Sequence, residues 1–187
     1  WASRVWAPKS ISGLEGMGVK IYFEAYGRLL GGGSRFKGRA YSPPPDPVNA
    51  LLSFGYMLPF NELNSLLEAC GFDVFLGFLN GVRYGRASLA TDIMEDLRSP
   101  IIDRLVLHLV NKGMIKPDQF TATAGKKGII MDDPARKTYL SNYEKFMTAS
   151  FQEAGTGKLW ILTLVSTKNP TQFYQNNRRG RENLNSL

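Results

Sequence analysis

The chain has 187 residues, 43% hydrophobic and 21% charged, a balance that supports one main domain with a real core and excludes wholesale disorder. Twenty-three Lys and Arg against sixteen Asp and Glu leave a net charge of +7, which reads either as a footprint for a polyanion such as nucleic acid or as a basic, uncommitted surface. One cysteine excludes an internal disulfide, no apolar run approaches the roughly 18 residues that span a bilayer, and the opening WASRVWAPKS lacks a signal-peptide core, so a cytoplasmic protein is expected.

The sequence starts without Met, and an upstream portion is expected. Ser12, Gly13, Leu14 and Glu15 fit the S-x-x-E capping box, and Leu14, Gly18, Tyr22, Ala25 and Leu29 recur at helical spacing. This predicts a helix from about Leu14 to Leu30, stopped by Gly31, Gly32 and Gly33. RFKGRAYSPPPDPVNA is then a basic loop ending in prolines, and Asp46 before Pro47 marks an N-cap with proline at the first helical position. The second helix carries Val48, Leu51, Leu52 and Tyr56, is kinked or interrupted at Pro59, and resumes through Leu63, Leu66, Leu67 and Cys70 to a stop at Gly71. On that pattern Cys70 is a small buried hydrophobe rather than a reactive thiol.

GFDVFLGFLNG reads as a buried connector or a partial helical turn. Ser88 caps a helix from Leu89 to about Arg98, and Ser99 with Pro100 opens another, nearly continuous with it, through Ile101, Leu105, Val106 and Leu109 to Gly113. A small β element is expected over residues 126–131 (KKGIIM), and Asp133 with Pro134 caps a last helix whose Tyr139, Leu140, Tyr143, Phe146, Met147 and Ser150 share a face. The fold class is mainly α, a compact multi-helix domain over residues 1–155, followed at 156–187 by a divergent, loosely held tail in which LWILTLV is strand-like.

Asp92 and Glu95 stand three apart in a helix-forming run, so their carboxylates project from one face, with Asp96 turned partly away. Such a pair reads as a solvated acidic face or as half of a cation site. Glu15 is equally two-sided: it closes the capping box on Ser12, or it faces Asp92 and Glu95 as a third oxygen donor for Mg²⁺ or Mn²⁺.

The segments ISGLEG, PPPDPVNALLSFGY and GFLNGVRYGRASLATDIMEDLRSPIIDRLVLHLVNKG resemble the helical catalytic domain of the CRISPR-associated adaptation integrase, the endonuclease that inserts spacers into CRISPR arrays. The likeness covers roughly Ile11 to Leu140 with its motifs in order. It implies a metal-dependent phosphoryl transfer on DNA (protospacer and CRISPR repeat), with Mg²⁺ or Mn²⁺ as cofactor. It also implies a small ferredoxin-like partner protein and, for the full-length protein, a homodimer formed through an N-terminal β domain that is not expected within these residues. The implied ligands are Glu15 and Glu95, with Asp92 beside them.

The family's third ligand is usually a histidine closing a GF-x-H run, and here that position is Asn80. An amide oxygen is a neutral, weaker donor and relays no proton, so the expectation is a weakened or silent site. His108, in the apolar run LVLHLV, is expected to be a packed or edge residue and not a replacement. Arg35, Lys37, Arg39, Arg83 and Arg86 are the candidate phosphate contacts, while Arg98 is expected to pair locally with Asp96 or Glu95. Tyr56 and Phe60 are assigned to core packing, while Tyr84, in a polar loop between Arg83 and Arg86, is a candidate for stacking on a splayed base. The competing reading is a non-catalytic DNA-binding or scaffold subunit; a third is a related transposon-borne integrase. The ending GKLWILTLVSTKNPTQFYQNN departs from the family's helical tail, through divergence or a change of reading frame.

Overall fold

The computed structural model describes residues 8–31, 36–40, 43–77, 85–122, 128–152 and 159–161, with backbone alone for 8–12, 14–15, 150–152 and 159–161. Helices dominate: α1 (Pro8–Leu29), α2 (Pro47–Ala69), α3 (Ser88–Leu97), a π-helical turn (Arg98–Asp103), α4 (Arg104–Asn111) and α5 (Asp133–Thr148). Among the described residues, β structure is two small antiparallel pairs. β1 (Phe120–Ala122) pairs with β2 (Ile129–Met131), within the expected β element, and β3 (Ser150–Gln152) pairs with β4 (Leu159–Ile161), setting Phe151 opposite Trp160.

The helix starts show which local signals prevailed. At α2 the expected cap is present: Asp46 accepts the Asn49 N–H on Oδ1 at 2.9 Å and the Ala50 N–H on its carbonyl at 3.0 Å. α1 instead begins at Pro8, four residues before Ser12. Proline at that position is preset in φ and forgoes only an N–H that has no helical partner there. Ser12 therefore lies inside the helix and is not its N-cap, contrary to the start expected from the spacing of Ser12 and Glu15. At α5 the cap is Asp132, not Asp133; its Oδ1 accepts the Ala135 N–H at 2.7 Å, and Asp133 pairs with Arg136 at 3.0 Å. Ser88 is likewise no cap: Ala87 holds that place at α3, and Ser88 is buried in the first turn.

Two prolines read as helix breaks are absorbed. α2 continues through Pro59 to Ala69, because Leu63 and Leu67 beyond it are buried and a broken helix would expose them. Pro100 lacks the N–H for its α-helical bond, and the chain widens into a π-turn rather than restarting, with the Arg104 N–H reaching the Ser99 and Ile101 carbonyls. Ile101, Ile102 and Leu105 thereby stay fully buried. The stop of α2 is as expected: Gly71 takes φ +78°, the Phe72 N–H bonds the Leu67 carbonyl at 3.0 Å and the Gly71 N–H bonds that of Glu68 at 3.0 Å. That turn leaves Cys70 exposed, contrary to the buried position its spacing from Leu63 and Leu67 suggested.

The chain divides into two units, Trp1–Ser53 with Val106–Arg136, and Phe54–Leu105 with Lys137–Leu187. The first holds an aromatic cluster in which Phe23 and Tyr26 meet Phe36 edge-on at centroid distances of 6.1 and 5.8 Å. Its polar hub is Asn49, fully buried, whose Oδ1 accepts from Arg39 Nη1 at 2.9 Å and the Ala40 N–H at 2.8 Å, while Nδ2 donates to the Gly38 carbonyl at 3.0 Å and Asp46 Oδ2 at 2.6 Å. Three of these four bonds fasten residues 38–40 to the start of α2, and the fourth ties Asn49 to Asp46. In the second unit Leu89, Ile93, Met94, Ile101, Tyr139, Tyr143 and Met147 are buried, the tyrosines and Met147 on the expected face of α5. Phe54 meets Tyr139 edge-on at 5.2 Å, and the Leu89 N–H bonds the Val74 carbonyl at 3.0 Å, fixing the entry to α3.

Candidate functional site

α3 separates the two paired carboxylates by environment. Asp92 is only 2% exposed, while the side chain of Glu95, one turn on, is 36% exposed. The reason lies in the helix register: Leu89, Ile93 and Met94 face the core and carry Asp92 in with them, whereas Glu95 and Asp96 fall on the open side. A buried carboxylate is held in one geometry by its surroundings; an exposed one is free to accept a ligand. Glu95 Oε1 lies 3.6 Å from Arg98 Nη1, so of the two local pairings expected for Arg98 the structure contains the one with Glu95.

Arg98 lies against a further cluster that no local sequence pattern brings together. Its guanidinium carbon sits 5.6 Å from the centroid of the Tyr56 ring, and the Tyr56 hydroxyl donates to Oδ1 of Asp103, a carboxylate only 3% exposed. Tyr56 is thus half-buried with a polar assignment, not a simple core residue; Phe60 is half-buried too. On the same unit the Tyr143 hydroxyl donates to Glu62 Oε1 at 3.1 Å. Burial raises the Glu62 carboxyl above its usual range, against the lowering effect of that hydrogen bond, and burial together with the Glu62 charge raises Tyr143. Burial, with the Asp103 charge, raises Tyr139 as well, so both phenols stay protonated.

The basic candidates fall in different settings. Lys37 is exposed and Arg86 half-buried. Arg39 is committed to the fold, its Nη1 bonding Asn49 and the Ala40 carbonyl at 2.7 Å and its Nη2 bonding Ser53 Oγ at 2.9 Å. A groove of about 770 Å³ in the first unit is lined by Gly16, Lys20, Phe23, Glu24, Lys37 and Arg39 among others. His108 is exposed near the end of α4, at the edge rather than packed. Glu15 stands on α1 with backbone alone described, and Arg35, Asn80, Arg83 and Tyr84 lie outside the described residues. Among the described residues no three His, Cys, Asp or Glu side chains gather as a metal cluster, and no helix is long and apolar enough to cross a membrane.

The chemistry of the donor pair fits a hard cation: Asp92 and Glu95 offer carboxylate oxygens alone.

Comparison with known proteins supplies the family. The model for CRISPR associated protein Cas1 matches residues 3–145. A CRISPR-associated endonuclease Cas1 of Chlorobaculum tepidum is 43% identical over 158 residues, 83% of this chain and 46% of that protein. A CAS1 protein from Thermotoga maritima superimposes with a TM-score of 0.70 at 28% identity, covering 78% of this chain and 47% of its own. A chain of a Cas6-RT-Cas1–Cas2 complex does so with a TM-score of 0.74 at 27% identity, over 92% of this chain and 19% of that one. The chain therefore spans less than half the length of these relatives.

Proposed function

We infer function from the premise that this chain belongs to the CRISPR associated protein Cas1 family: it is the helical catalytic part of a metal-dependent DNA endonuclease and integrase of CRISPR spacer acquisition. The observation that carries this reading beyond family membership is the division of labour on α3, a buried Asp92 beneath an exposed Glu95. Glu15 and Glu95 would hold Mg²⁺ or Mn²⁺, Asp92 would support them, and Asn80 would fill the corner where the family has histidine. When bound, such an ion polarises a scissile phosphate and stabilises charge on the leaving oxygen.

The reaction is the attack of a DNA 3′ hydroxyl on a backbone phosphate: a new phosphodiester forms, the old P–O bond breaks, and the leaving strand keeps a 3′ hydroxyl. The chain's own contribution is to hold and neutralise. Asp92, fixed in the core, keeps the supporting carboxylate from drifting, so Glu95 alone adapts to the ligand. Arg83 and Arg86 precede the carboxylates in sequence and neutralise nearby phosphates, while Lys37 grips the duplex beside residues 38–40, which Asn49 fastens, with Arg35 two positions before it in sequence. Asn80 orients through its amide but takes no proton from the attacking hydroxyl. The partners are DNA and, by analogy with the complex named above, a Cas2-type protein of ferredoxin-like fold; the full-length protein is a homodimer.

The test is cleavage and strand joining on a branched DNA duplex with Mn²⁺, comparing the unmodified chain with Glu15→Ala and Glu95→Ala. Activity lost in both variants supports the reading, and activity kept in either refutes it. The second reading, a DNA-binding or scaffold subunit with a degenerate metal site, is favoured by Asn80, and it is upheld if the chain binds DNA while neither Mg²⁺ nor Mn²⁺ elicits turnover.

A further inference from the structure

Arg98 is built into the second unit more firmly than a surface ion pair requires. Its guanidinium lies over the Tyr56 ring at 5.6 Å, and its Nε–H is buried with no hydrogen-bond partner. The ring is tuned for this contact: by donating its hydroxyl to buried Asp103, Tyr56 gains electron density on the face that attracts the cation. The π-turn makes the arrangement possible. Arg98 and Asp103 are its first and last residues, five apart, and π-helical geometry brings residues at that spacing onto one face, so one tyrosine meets both. The guanidinium is thereby seated on the ring, while the Arg98 side chain as a whole remains 36% exposed.

The ion pair with Glu95 is loose. At 3.6 Å the contact with Glu95 is well beyond the roughly 2.7–2.9 Å of a tight charge-assisted hydrogen bond, and a half-exposed pair of this kind contributes little to stability. A guanidinium resting against an acidic side chain that a divalent ion needs is a competitor for that side chain.

We propose that Arg98 is a placeholder cation for the metal site: without the ion it neutralises Glu95, and when the ion takes that carboxylate the guanidinium, still seated on Tyr56, turns to a DNA phosphate. This rests on the reading of Glu95 as a ligand. Arg98 is then a positioning residue, setting when the carboxylate is available and lending its charge to the bound strand.

The experiment is a DNA-free Mn²⁺ titration of the full chain, followed by loss of the free-ion electron paramagnetic resonance signal, for the unmodified protein, Arg98→Gln, Arg98→Met, Arg98→Lys and Glu95→Gln. Removing the competing charge is expected to tighten Mn²⁺ binding about three- to tenfold in Arg98→Gln. Arg98→Met, which also removes the charge but keeps a long unbranched side chain, must behave alike, and Arg98→Lys, which keeps the charge, must stay close to the unmodified chain. A companion measurement is affinity for a branched duplex, where Arg98→Gln should weaken binding with Mn²⁺ present and leave it unchanged in EDTA. Unchanged or weaker Mn²⁺ binding in both neutral variants overturns the placeholder, as does an equal loss of DNA affinity with and without the ion. If Glu95→Gln binds Mn²⁺ like the unmodified chain, the ligand reading itself falls and the placeholder with it; if Glu95→Gln loses the ion but the Arg98 variants do not gain it, only the placeholder falls.

Discussion

Asp92 and Glu95 stand one turn apart on α3, yet Asp92 is 2% exposed and the Glu95 side chain 36%. Substitution should therefore separate structure from chemistry. Asp92→Ala removes a buried carboxylate from a packed site and is expected to cost about 2–4 kcal/mol. Glu95→Ala is expected to shift stability by no more than about 0.5 kcal/mol while abolishing turnover. Urea unfolding of both variants beside a DNA cleavage assay checks the pair; equal stability losses would mean that the burial difference has no energetic counterpart.

Asn80 provides the second prediction. Replacing it with histidine restores a stronger donor and a group that relays protons, so Asn80→His should raise Mn²⁺-dependent cleavage of branched DNA by about one to three orders of magnitude. Rates compared at saturating Mn²⁺ decide it, and equal activity in the two forms contradicts the weakened-site account.

The spacing of Asp92 and Glu95 was legible in the sequence because a helical repeat is a local property; their unequal burial was not, since both residues are polar and only packing distinguishes them. The same division runs through the fold. The Asp46–Pro47 start and the Gly71 stop depend on neighbouring backbone groups and were readable. Ser12 and Glu15 imitated a capping box that the helix begun at Pro8 overrode. Pro100 carried a start signal, but the burial of Ile101, Ile102 and Leu105 required the helix to continue, and the π-turn reconciled the two. The contacts of Arg98 with Tyr56, and of Tyr56 with Asp103, join residues 42 and 47 positions apart in sequence, a distance no local pattern spans.

DNA binding is expected to be electrostatic and tolerant of sequence. Lys37 is exposed on a loop whose neighbours Arg39 and Ala40 are fastened by Asn49. Lys37→Ala should lower the slope of log affinity against log salt by about 0.9, the loss of one phosphate contact. Asn49→Ala should reproduce that loss indirectly by freeing the loop. Fluorescence anisotropy with a labelled duplex at several salt concentrations measures both, and an affinity indifferent to salt rules the interface out.

Tyr139 and Gly55 test the packing of the second unit. The Tyr139 hydroxyl is buried without a hydrogen-bond partner, and a Cβ at Gly55 would overlap that hydroxyl and the Ile102 side chain. Tyr139→Phe is expected to be neutral or stabilising by about 1 kcal/mol, because it removes an unpaid polar group. Gly55→Ala is expected to destabilise by about 1–3 kcal/mol through overpacking, and Tyr139→Phe to recover part of that loss in the double variant. Thermal unfolding of the three variants gives the answer.

The most direct test of the metal site is anomalous diffraction from crystals of this chain grown with Mn²⁺. The account predicts a single strong peak within direct coordination distance of carboxylate oxygens of Glu15 and Glu95 and of the amide oxygen of Asn80. Full Mn²⁺ in the crystal with no peak at Glu95, or a peak there that Glu15 does not approach, would contradict it.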